Sequence, residues 1–126
     1  LPASHFDAVL ASNVLEHFEP DAASRIAGEV AALLKPGGRF LIIQPNYRYA
    51  YRSYFDDYTH RSVFSDVSLT NMLKSHGFRI ALSMPRFLPY SMRDMRGSVP
   101  PWLVRAYIRS PLKPRAGQML IVATKP

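Results

Sequence analysis

Residues 6–18, FDAVLASNVLEHF, and residues 33–46, LLKPGGRFLIIQPN, decide the fold between them. Phe6 to Ala11 is a short, nearly continuous apolar run, the pattern of a strand buried on both faces of a parallel sheet, and Ser12 and Asn13 end it. Arg39 to Gln44 repeats the pattern and is broken by Pro45-Asn46. Between the two, Ala22, Ile26, Val30, Leu33 and Leu34 recur at spacings of three and four, which predicts a helix over 21–34. Asp21 in its first turn and Lys35 at its end each suit the helix dipole. Pro36, Gly37 and Gly38 are expected to stop it, because a prolyl ring cannot continue a helix and glycine accepts the left-handed backbone of a C-cap. Strand, helix, glycine turn and strand make a βαβ unit, with parallel strands and a right-handed crossover.

Further along, Tyr47 to Phe64 shows no clean period and is dense in Tyr and Arg, so a long functional loop is expected. Ser65 or Ser68 can cap a helix through about His76, with Val67, Leu69, Met72 and Leu73 inward and Gly77 as its stop. Phe78 to Met84 predicts a third strand and Gln118 to Thr124 a fourth. In the proline-broken stretch between them, Trp102 to Arg109 offers a turn or two of helix, entered through Pro100 and Pro101.

A chain of 126 residues with 48% hydrophobic content is ordinary for one globular domain. No secretory leader is expected, and no apolar run approaches the roughly 18 residues that a spanning helix needs. With no cysteine, a disulfide framework and a thiolate metal site are excluded. A cytoplasmic or membrane-peripheral location is expected. Leu1 to His5 lead into the first apolar run with no element or initiator methionine before it, which predicts a chain cut from something longer. Residues 1–85 are balanced, with eight Lys/Arg against eight Asp/Glu, so the whole net charge of +7 lies beyond residue 85. A one-sided basic segment suits an anionic partner.

The two opening stretches, in this order and at this spacing, resemble the middle of class I, Rossmann-like S-adenosylmethionine-dependent methyltransferases: their fourth strand, the helix after it and their fifth strand. The continuation is similar as well, with an insert, a helix ending in HGF (76–78), a sixth strand, and a seventh strand running antiparallel between the fifth and sixth. The resemblance implies an α/β fold, a partial doubly wound sheet of the fourth to seventh strands with the last antiparallel and the N-terminal half absent. It makes 1–126 the C-terminal portion of one methyltransferase domain, with an aromatic insert at 45–64 and a basic proline-rich segment at 85–115. S-adenosylmethionine is the implied cofactor of the full-length parent. That family holds it chiefly through a glycine-rich turn after the first strand and an acidic residue ending the second. This chain has no such fingerprint, so it is expected to be inactive alone and a poor cofactor binder.

Ligands of open α/β sheets bind beyond the carboxyl ends of the strands, here at Ser12 to His17 and from Pro45 onward. By resemblance, Ser12, Asn13 and His17 are the expected cofactor contacts. His60, in YFDDYTHRS (54–62), is the candidate general base, because its loop follows the second strand and imidazole titrates near neutral pH. Asn46, Tyr47, Tyr54, Asp57 and Arg61 are expected on the acceptor, since aromatic bodies with polar tips suit sugars and rings. No metal site is expected, and Asp56-Asp57 does not make one. The expected reaction is methyl transfer to a small-molecule or carbohydrate-type acceptor, sugar or phosphate-bearing. The alternative is a non-catalytic basic module that binds an anionic partner or a membrane surface through 86–115, where Arg105 and Arg109 share a helical face near Trp102 and Tyr107. No nucleic-acid-binding module is recognisable, so nucleic acid is not an expected partner. Strand 6–11, left at an edge, is expected to drive self-association.

Overall fold

The computed structural model describes residues 1–89 and 99–126. Strands β1 (Phe6–Ser12), β2 (Leu34–Pro45), β3 (Arg79–Pro89) and β4 (Ala116–Thr124) form one mixed sheet in the spatial order β1-β2-β4-β3. Helix α1 (Pro20–Leu33) is the crossover between the parallel β1 and β2, whose register sets Val9 opposite Phe40 and Ser12 opposite Ile43. The last strand, β4, lies antiparallel between β2 and β3, the placement that the resemblance implies for a closing strand. Two further helices frame the loops, α2 (Tyr47–Ala50) and α3 (Asp66–Ser75), and α4 (Pro101–Arg109) begins on a proline as the sequence predicts.

Ala23, Ala27 and Val30 of α1 and Leu69 and Leu73 of α3 pack on the face that carries Ala11, Phe40, Ile42, Ile121 and Ala123. The apolar stripe of α1 is rotated by one residue from the predicted one: Ala23 and Ala27 are fully buried while Ala22 is only half-buried. Alanines at the contact let α1 sit close to the sheet. Gly28 does the same for α3, because the His76 ring would stand 3.2 Å from a Cβ there, and Ser24 Oγ meets His76 Nε2 at 2.9 Å. Ser65 caps α3 in a reciprocal box with Ser68, and Gly77 leaves the helix at φ +85, a backbone that favours glycine. Val67, expected inward, is 47% exposed, because the inward face of α3 is occupied by Leu69 and Leu73.

Three other expectations are corrected. The glycine pair is not the C-cap of α1: the helix ends at Leu33, and the extended Leu34 still donates its N–H to the Val30 carbonyl. Gly37, at φ +79, instead lies within β2, where its register against β1 shifts between Leu34 and Arg39, donating to the Lys125 carbonyl at 2.8 Å while Gly38 accepts from Lys125 at 2.9 Å. The segment 47–64 is not a plain loop, since α2 and a 3-10 turn at Tyr54–Asp56 organise it. Finally, β1 is not buried on both faces. Leu10 is 62% exposed, and Leu41, Ile43, Leu120 and Val122 on the same face of the sheet are only half-buried. Within the basic segment, Tyr90, Arg93, Asp94 and Arg96 lie outside the described residues. Among the described residues no helix is long and apolar enough to cross a membrane.

One-sided packing has a measurable signature. Phe40→Ala is expected to cost about 3–5 kcal/mol in urea unfolding, because it opens a cavity between the sheet and Phe78. Leu10→Ser, on the uncovered face, is expected to change stability by less than about 0.5 kcal/mol. Equal losses at the two positions would contradict one-sided packing.

Candidate functional site

Because β1 and β2 are parallel and in step, the segments that leave their carboxyl ends emerge side by side. Asn13 takes a left-handed backbone at φ 54, a conformation that asparagine tolerates better than most residues. Its N–H extends the ladder to the Ile43 carbonyl at 2.8 Å, and its side-chain oxygen accepts from Gln118 Nε2 of β4 at 2.9 Å. Ser12 and Asn13 are both exposed, so this polar edge is held from behind and presented to solvent.

A single 3-10 turn, Leu15–His17, comes next and buries Leu15 and Glu16 completely. The loop after β2 clamps onto it. The Glu16 carbonyl accepts the N–H groups of Arg61 at 2.7 Å and Ser62 at 3.1 Å, Ser62 Oγ donates to the Phe18 carbonyl, and the Tyr54 hydroxyl donates to the Ser62 carbonyl. This joint brings His17 and His60 to a ring separation of 5.0 Å. The two residues, one expected as a cofactor contact and the other as the general base, are neighbours.

Their tautomers are set by the partners. His60 Nδ1 lies 2.6 Å from the Tyr54 carbonyl, which can only accept, so Nδ1 carries the proton. His17 Nδ1 faces Thr59 Oγ1 at 2.9 Å and the Thr59 carbonyl at 3.3 Å. Thr59 Oγ1 already donates to Asp57 Oδ1, so His17 Nδ1 also donates. In the neutral form of each ring the lone pair is then at Nε2. His17 Nε2 is 3.9 Å from Glu16 Oε1, and His60 Nε2 is 3.7 Å from Asp57 Oδ2. Neither carboxylate oxygen of Glu16 has a hydrogen-bond partner. Burial pushes its carboxyl above the ordinary range, partly opposed by its own backbone N–H and by His17, while the Asp57 charge adds a smaller upward push. Asp57, by contrast, is held below the ordinary range by the Thr59 hydroxyl and backbone N–H.

The expected acceptor residues separate into two groups. Asn46 is fully buried: its amide donates to Asp66 Oδ1 at 2.9 Å and to the Pro85 carbonyl at 3.1 Å, and its oxygen caps α2 at the Arg48 N–H. Tyr54 is fully buried as well, in an edge-on cluster with Tyr47 and Phe55. Both brace the loop from within instead of facing solvent. Tyr47 and Asp57 are half-buried and Arg61 is exposed, while Tyr51, Phe55 and Tyr58 form the exposed aromatic surface. A separate cavity of about 390 Å³ lies between Tyr49, Met84, Pro85, Arg86, Pro111 and Lys113. Arg86 stacks over Tyr49 at 5.2 Å and donates to the Lys113 carbonyl at 3.0 Å, and Lys113 Nζ caps the end of α4 at the Ile108 carbonyl, 2.8 Å away. Arg105, Arg109 and Trp102 on α4 are exposed, and no residue of that helix is buried.

Sequence reasoning missed Glu16 and Thr59. The signal for Glu16 is an acid set directly beside Leu15 in a short turn, where the apolar neighbour carries the turn into the core. A buried carboxylate without partners is costly, so Glu16→Met, of similar volume, is expected to raise stability by about 1–3 kcal/mol in urea unfolding. A loss of stability would mean that the carboxylate is stabilising where it stands.

The family described as a methyltransferase domain matches residues 2–83. No curated protein sequence matches the chain. Among solved structures, an S-adenosylmethionine-dependent methyltransferase from Archaeoglobus fulgidus superposes with a TM-score of 0.72 at 20% identity, covering 99% of this chain and 62% of its own. The Burkholderia thailandensis 1,6-didemethyltoxoflavin-N1-methyltransferase, solved with 1,6-didemethyltoxoflavin and S-adenosylhomocysteine bound, gives 0.61 at 22% identity and covers 98% of this chain and 45% of its own. The [4+2]-cyclase SpnF gives 0.66 at 22% identity, with 100% of this chain and 52% of its own covered. The chain thus spans about 62% of the length of the Archaeoglobus structure and less of the other two. With the family match extending from the first strand through the site to the third, this chain belongs to the methyltransferase domain family.

Proposed function

We propose that the intact protein transfers a methyl group from S-adenosylmethionine to a small-molecule acceptor, and that this chain contributes one edge of the cofactor site together with the acceptor side. The observation that carries the reading is the convergence of the exposed Ser12-Asn13 edge and the 54–62 loop at the ends of two parallel strands, the position at which open α/β sheets bind ligands. In this reading β1, β2, β3 and β4 correspond to the fourth to seventh strands of the family, residues 45–64 are its insert and 85–115 its basic segment. The Burkholderia structure, with S-adenosylhomocysteine and its acceptor bound together, supports the assignment.

S-adenosylmethionine supplies an electrophilic methyl on a sulfonium, so positioning and exclusion of water can provide much of the rate. Ser12 and Asn13 offer the cofactor a preset polar edge, with His17 at its inner end. Tyr51, Phe55 and Tyr58 offer the acceptor an aromatic surface. His60, with Nδ1–H spent on the Tyr54 carbonyl, is left in the tautomer that can take a proton at Nε2 from an acceptor hydroxyl. The cavity between Tyr49, Arg86 and Lys113 pairs an aromatic face with cations, which suits a sugar or phosphate-bearing acceptor.

Replacing Asn13 with Ala in the intact protein is expected to raise the KM for S-adenosylmethionine by roughly tenfold, the value of one lost hydrogen-bonding group, with kcat less affected. In the intact protein, S-adenosylhomocysteine is expected to shift the amide resonances of Ser12, Asn13 and Gln118. Shifts confined to other regions would overturn the placement. We also infer that the unpaired edge of β1 recruits a further strand, supplied by a second copy when the chain is alone. Static light scattering is expected to show a mass that grows with concentration, reduced by Ala8→Lys. A monodisperse monomer at all concentrations would contradict the inference.

A further inference from the structure

We propose that Glu16, His17 and His60 form a binding site for a single first-row divalent transition ion of the Zn²⁺ type. One donor atom from each lies within 4.8 Å of the other two, and the donors come from both loops that the Glu16 carbonyl joint holds together. The second observation is independent of this proximity. The carboxylate of Glu16 is completely buried, and neither oxygen has a hydrogen-bond partner. A buried carboxylate without a hydrogen-bond partner is costly, and a cation between it and the two imidazoles, one of which stands 3.9 Å away, would offset that cost.

The orientation of the rings fits the same use. Metal-binding histidines commonly donate their second ring N–H to a carbonyl or carboxylate, which fixes the tautomer and aims the ligand nitrogen. His60 does so through Nδ1 to the Tyr54 carbonyl, and His17 does so through Nδ1 to Thr59, whose hydroxyl is in turn fixed on Asp57. Asp57 Oδ2, 3.7 Å from His60 Nε2, is placed as a fourth ligand or as a hydrogen-bonded outer group. Two imidazoles and a carboxylate suit zinc, iron, cobalt or nickel better than magnesium or calcium, which prefer all-oxygen sites. Ligands at about 2.1 Å from a tetrahedral ion stand ~3.4 Å apart, so the donors close inward by about an ångström on binding. An ion enters beside His17 and Asp57, whose side chains are 33% and 37% exposed. In the loaded site His60 is a ligand, and its role as a proton acceptor belongs to the metal-free protein.

The proposal concerns binding alone, so its test requires neither cofactor nor acceptor, and its failure would leave the methyltransferase reading standing. The chain, stripped with chelator, is titrated with ZnCl₂ by calorimetry, and His Nε2 ¹⁵N resonances are followed in parallel. A single equivalent of Zn²⁺ is expected to bind and to move the Nε2 signals of His17 and His60, but not those of His5 or His76. Glu16→Gln and His17→Gln are each expected to weaken binding roughly tenfold or more, while His5→Asn leaves it unchanged. The proposal is overturned by an absence of saturable binding, by unmoved His17 and His60 signals, by unchanged affinity in folded Glu16→Gln, or by Mg²⁺ competing on equal terms with Zn²⁺. Because the resonance measurement uses the unmodified chain, it decides the matter even where a variant fails to fold.

Discussion

The carbonyl of Glu16 accepts two backbone N–H groups from Arg61 and Ser62, and this joint turns two separate loops into one site. Parallel pairing of β1 and β2 brings the loops out at the same height, but parallel strands alone leave their succeeding loops free to diverge. The joint removes that freedom with main-chain bonds, which survive changes of side chain. Ser62 Oγ on the Phe18 carbonyl and the Tyr54 hydroxyl on the Ser62 carbonyl extend it into a short network. His17, Thr59, Asp57 and His60 take their positions from this network. Asn46 fixes the far end of the loop by tying β2 to Asp66 and to the Pro85 carbonyl.

Unpartnered polar atoms gather at this end of the sheet. Among the described residues, the buried side-chain atoms without a hydrogen bond belong to Glu16, just past β1, and Gln44, next to the end of β2. Gln44 faces the helix layer opposite Met119, and both of its amide atoms are without partners. Most buried polar groups in folded proteins are paired, and exceptions cluster where a structure gives up stability for function. The opposite end of the sheet obeys the usual rule: Lys125 bonds the Gly37-Gly38 turn and caps the Leu34 carbonyl with Nζ at 2.7 Å. One end of the molecule is closed for stability and the other keeps unsatisfied groups at the strand termini.

Much of this frame was legible in the sequence because it rests on local signals. The period of α1, the apolar runs of β1, β2 and β4, the Ser65 cap and Gly77 all arise from neighbours a few residues apart. Signals that depend on distant partners were not legible. A continuous apolar run such as 6–11 looks the same whether one or both faces are covered, so the exposure of Leu10 could not be read from it. Gly37 carries a left-handed backbone as expected, but its partner is Lys125, far along the chain, and so it belongs to an irregularity within β2 and not to the helix end. Within the site, residue type pointed to Asn46 and Tyr54 as contacts, yet polar tips serve internal hydrogen bonds as readily as ligands, and both are consumed by the loop itself. Glu16 was passed over because its burial arises from the clamp of a loop that starts some thirty residues later.

Net charge shows the same division between what composition states and what structure permits. The excess of +7 lies beyond residue 85, but not all of it is available to a partner. Arg86 and Lys113 spend donors on main-chain carbonyls around the start of β4 and the end of α4, where a cation also meets the negative end of the helix dipole. Arg105 and Arg109 remain exposed. The fold itself does not select a chemistry, since a [4+2]-cyclase shares it with methyltransferases. What can select one is the set of groups brought to the strand ends. In this chain those groups are an exposed serine-asparagine edge, two imidazoles that each donate through Nδ1 and a buried carboxylate without a hydrogen-bond partner, all held by one carbonyl.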